Sequence, residues 1–230
     1  MKVRIKFRKY GVMKFIGHLD MMRYFQKAMR RGDIPIAFTG GYSPHMVMSF
    51  ANPLGVGLTS DSEYFDIELE ERISSREAVK QLNQVMVEGV EIVSFRELAD
   101  TQKTGMSIVA AAKYRSVPVV GTWVDGWEKM ADTFLSQEQI TIVKKTKKSE
   151  KEVDIKPMIY QFEVKEQGIN TFVATGSSEN LKPGLVMDAF LQYLGMEKET
   201  VSFAHHRLEL YADNGEKEFV TLESMGNEIL

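Results

Sequence analysis

The sequence predicts an α+β protein made of two ferredoxin-like halves in tandem, each β-α-β-β-α-β, with antiparallel sheets and helices on one face. Three observations predict it. Residues 2–9 alternate apolar and basic, Val3, Ile5 and Phe7 against Lys2, Arg4, Lys6 and Arg8, which is the period of a half-buried strand. The period then changes to that of a helix in residues 18–31 and 75–87. Strand-like and helix-like segments follow in the ferredoxin order twice, with no other repeat between the halves.

The elements follow in order. Gly17 can stand at a helix N-cap, and Asp20 falls three residues later, where an acid favours the first turn. Leu19, Met22, Phe25 and Met29 recur at helical spacing and are expected to face the sheet. Arg23, Lys27, Arg30 and Arg31 form a second, basic face. Gly32 ends the helix, with cations in its last turn. IPIAF (34–38) reads as a short buried strand and TGGYSP (39–44) as a turn. MVMSFA and EYFDIELE (63–70) read as strands, SREAVKQLNQVMV as a helix from Ser75, and EIVSFREL (91–98) as the strand closing the first half. Residues 101–105 are the expected joint, which gives halves at 1–100 and 106–230.

In the second half, SIVAAAKYRSVPVV reads partly as strand, GWEKMADTFLSQ as helix and QITIVKKT as strand. KKTKKSEKE (144–152) is an expected charged loop. MIYQFEVKEQG and INTFVATG form an expected hairpin (158–176). Pro183 opens a helix that Gly195 ends, and TVSFAHHRLELYA (200–212) is the closing strand.

Composition limits the function classes. The 230 residues are 43% hydrophobic and 27% charged, ordinary for a globular chain. No apolar run approaches the roughly 20 residues of a membrane helix. The N-terminus reads as a charged strand, not a signal peptide. There is no cysteine, hence no disulfide or thiolate site, which fits a cytoplasmic location. An iron–sulfur cluster is normally held by cysteine thiolates, so this chain is not itself a radical-SAM enzyme. No Walker or dinucleotide signature is present; Gly55 and Gly57 are too sparse for a phosphate loop.

Charge is uneven. Residues 1–31 carry ten lysines and arginines against Asp20 alone. Residues 61–100 carry eleven acids against four bases. This polarity points either to an anionic partner at one surface or to neighbouring elements that neutralise each other.

Residues 7–69 contain FRKYG, FIGHLD, AMRRGDIPIAFTGGYSPH, SFANPLGVG and EYFDIEL. In these motifs the chain resembles the radical-SAM-linked domain of unknown function, found fused to, or encoded beside, a radical-SAM protein. The resemblance continues in KEVDIKPMI (151–159) and ENLKPGLVMDAFL (179–191). Gly17, Ser43 and Met46 stand where that pattern has Ser, Asn and Pro. The resemblance implies an accessory or partner subunit of a radical-SAM enzyme, non-catalytic alone; the basic helix adds the expectation that it presents RNA or another anionic substrate.

The residues themselves leave alternatives open. In a ferredoxin-like half, the loop holding His18 and Asp20 and the turn holding Tyr42, Ser43 and His45 are expected at one end of the sheet. The helix N-terminus beside them favours an anion. His18 and His45 are then candidates for ligand binding, proton transfer or metal ligation, with Asp20 as a third member. The plainer reading is that His18 serves the first helix turn and His45 pins a loop. Metal is the weakest option, since zinc more often takes sulfur or three histidines; no cofactor is expected. A stand-alone RNA-binding or RNA-processing module, using the basic helix and a His18/His45 edge, is the main alternative. A metal hydrolase comes last. His205 and His206, adjacent on a strand, point to opposite faces and read as structural. Trp123 and Trp127 read as core, and the fourteen methionines as an adaptable core or contact surface.

Overall fold

The computed structural model describes residues 1–145 and 150–230. It is a mixed α+β protein with five α-helices among the described residues. The chain divides into two compact units, Met1–Ala110 with Arg207–Leu230, and Ala111–His206.

In the first unit, β1 (Lys2–Lys9) lies between β3 (Thr59–Glu68) and β4 (Val90–Glu97) and runs antiparallel to both. Ile5 sits opposite Phe65 on one side and Phe95 on the other. The alternation of β1 therefore does what a half-buried strand should: Val3, Ile5 and Phe7 are buried in the core. α1 (His18–Arg31) and α2 (Ser75–Val85) supply the rest of that core, with Met21, Phe25, Ala28 and Met29 from α1 and Ala78 and Leu82 from α2. The Ser74 side chain caps α2 by accepting a hydrogen bond from the Glu77 N–H at 3.2 Å.

Two expectations for this region differ from the structure. Residues 34–38 make only isolated bridges, Ile36 to Leu69 and Phe38 to Met46. The strand that ladders with β3 is β2 (Met48–Phe50). Pro35 explains the difference, because it removes a backbone donor from the middle of the segment. Leu19 is 61% exposed and does not face the sheet. The buried stripe is Met21, Phe25, Ala28 and Met29, so Met21 takes the place expected for Leu19 and Met22 is only half-buried.

The C-terminal residues complete this unit. β10 (Ser202–Asp213) enters it at Arg207, β11 (Phe219–Thr221) pairs with β10, and β12 (Asn227–Glu228) pairs with β4. The strand order is β12-β4-β1-β3-β10. The expected second half, 106–230, thus loses residues 207–230 to the first unit, whose core Ile229 joins.

In the second unit the order is β10-β5-β9-β8, with β5 (Val109–Val120), β8 (Ile159–Lys165) and β9 (Gly168–Ala174). β9 is antiparallel to both β5 and β8. α4 (Trp127–Phe134) and α5 (Pro183–Tyr193) bring Phe134 and Phe190 together at 5.2 Å, and Phe162 lies 4.7 Å from the Phe134 ring. β6 (Thr141–Lys145) and β7 (Glu150–Asp154) pair only with each other, as a separate two-stranded sheet. The middle of the expected charged loop, residues 146–149, lies outside the described residues. α3 (Gly105–Ile108) is a single short turn before β5.

Candidate functional site

The basic face of α1 forms as the spacing predicts. Arg23, Lys27, Arg30 and Arg31 are all exposed. Arg23 pairs with Asp20 at 3.3 Å, both side chains open to solvent, so the pair contributes little. Among the described residues, Lys27, Arg30 and Arg31 make no ion pair. Arg30 and Arg31 lie in the last turn, where cations also favour the helix dipole. Leu19 lies one turn before Arg23 on the same face, and Phe15 precedes it in the 3-10 turn Gly11–Phe15; they are 61% and 64% exposed.

His18 opens α1 behind Gly17, which offers no capping side chain. Its half-buried ring meets Phe50 edge-on at 5.2 Å. Phe50 itself belongs to a cluster with Phe7, Phe25 and Phe65. Burial and the nearby Lys9 charge push the His18 pKa down, which favours the neutral ring. Beneath it, Lys9 is 2% exposed and donates to the Ile16 carbonyl at 2.6 Å. Arg207, also buried, holds Glu63 at 2.8 Å and donates to the Asn52 carbonyl at 2.8 Å. Burial pushes the Lys9 ammonium down, opposed by Glu63 and aided by Arg207. Burial pushes the Glu63 carboxyl up, and Arg207 and Lys9 oppose it.

His45 follows the turn that carries Tyr42 and Ser43. Tyr42 is fully exposed at its tip, and Gly41 takes φ +98°, which a side chain would resist. The Thr39 hydroxyl pins His45 twice: it accepts from the backbone N–H at 3.1 Å and meets ring Nδ1 at 3.0 Å. The Ser43 carbonyl lies 3.5 Å from the same nitrogen. His45 borders a groove of about 220 Å³. Lys2, Asp66 and Glu68 line it, together with Met48 and Leu98. Asp66 is neutralised there by a bidentate pair with Arg4, at 2.8 and 3.0 Å, and by the Gly105 N–H at 2.6 Å.

The two histidines do not meet. The register of β1 puts Lys2 opposite Glu68 and Lys9 opposite Ser60, at its two ends. His45 shares a groove with Lys2 and Glu68, whereas His18 lies by Lys9 on the aromatic core. The expected shared edge rested on residues 34–38 being a full strand that turned back at residue 39. Instead the chain bridges Leu69, loops out through the 39–45 turn and only then runs along β3. Asp20 faces Arg23. Among the described residues, no group of three or more His, Asp or Glu side chains is placed to hold a metal ion.

Sequence reasoning missed Lys2, Lys9, Glu63, Glu68 and Arg207. A signal was present in EYFDIEL: three acids within one apolar strand need a partner or a purpose. Glu63 finds Arg207 and Asp66 finds Arg4, while Glu68 borders the groove.

In His205, the expectation of a structural role is consistent with its bond to the Ser116 hydroxyl at 2.8 Å. Trp123 and Trp127 stack at 4.5 Å, and Trp123 also touches Phe190. No helix of the described residues is long and apolar enough to cross a membrane. A family model described as an uncharacterized protein conserved in bacteria matches residues 2–183 of the chain. A search of curated proteins finds no match.

Proposed function

Since the chain belongs to this uncharacterized bacterial family, DUF2344, we propose that it is a binding subunit, non-catalytic alone, that presents RNA to a radical-SAM enzyme through the basic face of α1. The observation that carries this reading is the exposure of Arg23, Lys27, Arg30 and Arg31 on one helix, three of them outside any ion pair among the described residues. Cations that served only to neutralise neighbouring elements would be paired, as Arg4 and Arg8 are. Exposed Phe15 at the N-terminal end of this surface supports a nucleic acid, because single strands are held by cations beside aromatic stacking platforms.

The radical-SAM enzyme comes from the motif resemblance at residues 7–69. The 230 residues contain no cysteine, which supports assigning the cluster to that second protein. The strand orders β4-β1-β3 and β10-β5-β9-β8 support reading both units as ferredoxin-like, the β6–β7 pair being an insertion in the second. The alternative of an RNA-processing module loses support, because it needed His18 and His45 on one edge.

The test is a co-purification with the neighbouring radical-SAM protein, before and after nuclease treatment. The expected result is a complex that carries RNA, and a protein with Arg23→Glu, Lys27→Glu and Arg30→Glu that stays folded but loses the RNA. A folded triple variant that keeps its RNA overturns the assignment of α1. A wild-type protein that retains neither RNA nor the enzyme overturns the whole reading.

A further inference from the structure

We propose that the groove beside His45 binds a small zwitterion with an apolar side chain, an amino-acid-like ligand. This does not depend on the basic helix. The groove lies wholly within the first unit and encloses about 220 Å³, room for one small molecule and not for a polymer.

Its walls divide into an apolar part and a charged part. Val47, whose carbonyl accepts from the Glu68 N–H, and Leu98, whose N–H donates to the Lys2 carbonyl, supply the apolar part.

The charged part decides the ligand class. Lys2 and Glu68 are direct partners across β1 and β3, so their side chains leave the same face. Opposite charges so placed normally pair. Here the Lys2 ammonium instead donates to the Asp100 carbonyl at 2.7 Å, and Glu68 makes no ion pair among the described residues. An ammonium and a carboxylate thus border one cavity without neutralising each other. Asp66 adds no net charge, because Arg4 and the Gly105 N–H already satisfy it. His45 adds a donor or acceptor: Thr39 engages Nδ1, which leaves Nε2 as the ring's other nitrogen.

A lone carboxylate would gain Lys2 but face Glu68. A lone amine would gain Glu68 but face Lys2. A zwitterion satisfies both, its carboxylate toward Lys2 and His45 and its ammonium toward Glu68, with the side chain on Val47 and Leu98.

The experiment is calorimetric titration of the full chain with L-leucine and L-methionine at millimolar concentration. The controls are 4-methylpentanoate, which lacks the amine, isopentylamine, which lacks the carboxylate, and glycine, which lacks the apolar part. The expected result is saturable binding of leucine or methionine, each control being roughly tenfold or more weaker, the scale of one charged hydrogen bond. Glu68→Gln should remove the preference for leucine over 4-methylpentanoate. Thr104→Trp, at an exposed residue of the groove wall, should fill the space and abolish binding with the melting temperature unchanged. No saturable binding of either amino acid overturns the proposal. So does equal binding of 4-methylpentanoate to the wild type, or leucine binding that survives Thr104→Trp.

Discussion

Arg4 shows how far one side chain can depart from its place in a pattern. It stands on the polar side of an alternating strand, yet it is 1% exposed. Asp66 takes two of its N–H groups and the Leu222 carbonyl a third, at 3.3 Å. A buried pair costs desolvation to form, but losing one partner leaves the other charge stranded. Arg4→Met is therefore expected to lower the stability of the first unit by about 3 kcal/mol in urea unfolding. Arg4→Met with Asp66→Leu should recover part of that loss. If the single variant unfolds at the wild-type urea midpoint, the buried pair has been misjudged. His205 gives a second prediction at this scale. Burial pushes its pKa down from 6.5 to about 4. The unfolded chain then binds a proton that the folded chain refuses, so stability is full above about 6.5 and falls as pH drops through that window. The expected loss is on the order of 3 kcal/mol by pH 4. His205→Gln should flatten the fall, read from urea midpoints at a series of pH values.

The elements differ in how openly the sequence declares them. β1, α1, α2 and β4 were legible because each has one clean period over eight or more residues and meets one apolar surface. β2 was not, because IPIAF looks more strand-like than MSF, and only the backbone donor missing at Pro35 tells against it. The phase of α1 was legible in part: the pattern gave Phe25 and Met29, but it named Leu19 where Met21 is the buried residue. The 3-10 turn Gly11–Phe15 escaped notice, although it fixes the entry to α1. It closes on Gly89, whose carbonyl accepts from the Tyr10 N–H at 2.9 Å. Gly89 has φ +94°, and a Cβ there would lie 2.7 Å from the Tyr10 carbonyl. Gly89→Ala should therefore cost more than the roughly 1 kcal/mol of a relaxed glycine replacement, with a lower melting temperature and weaker hydrogen-exchange protection at the start of α1. Unchanged protection there would show that the contact is easily relieved.

At the scale of the whole chain, charge polarity has two destinations. Arg4 and Arg8 meet Asp66, Asp61 and Glu91 from the acidic stretch, so part of the asymmetry is neutralised within the first unit. The cations of α1 stay outside that account. Lys6 turns elsewhere, to Glu209 and Glu223 at 2.8 and 2.9 Å. These acids lie in residues 207–230, as do Arg207, Leu222 and Ile229, whose membership of the first unit the local patterns did not reveal. Contacts across 200 residues leave no trace in a spacing, and the candidate site suffered similarly: single residues such as His45 were legible, while the groove they border was not. A chain ending at residue 206 is expected to lose cooperative unfolding of the first unit in calorimetry, since Glu63, Lys6 and Arg4 would each lose a partner. The basic face of α1 is the central claim, and salt dependence of RNA binding tests it most directly. Fluorescence anisotropy with a labelled single-stranded RNA, over a range of salt concentrations, should show affinity falling linearly on logarithmic axes. Arg23→Glu, Lys27→Glu and Arg30→Glu together should flatten that slope by about two, the counterions of three lost phosphate contacts. A folded triple variant with the wild-type affinity and the wild-type slope would contradict it.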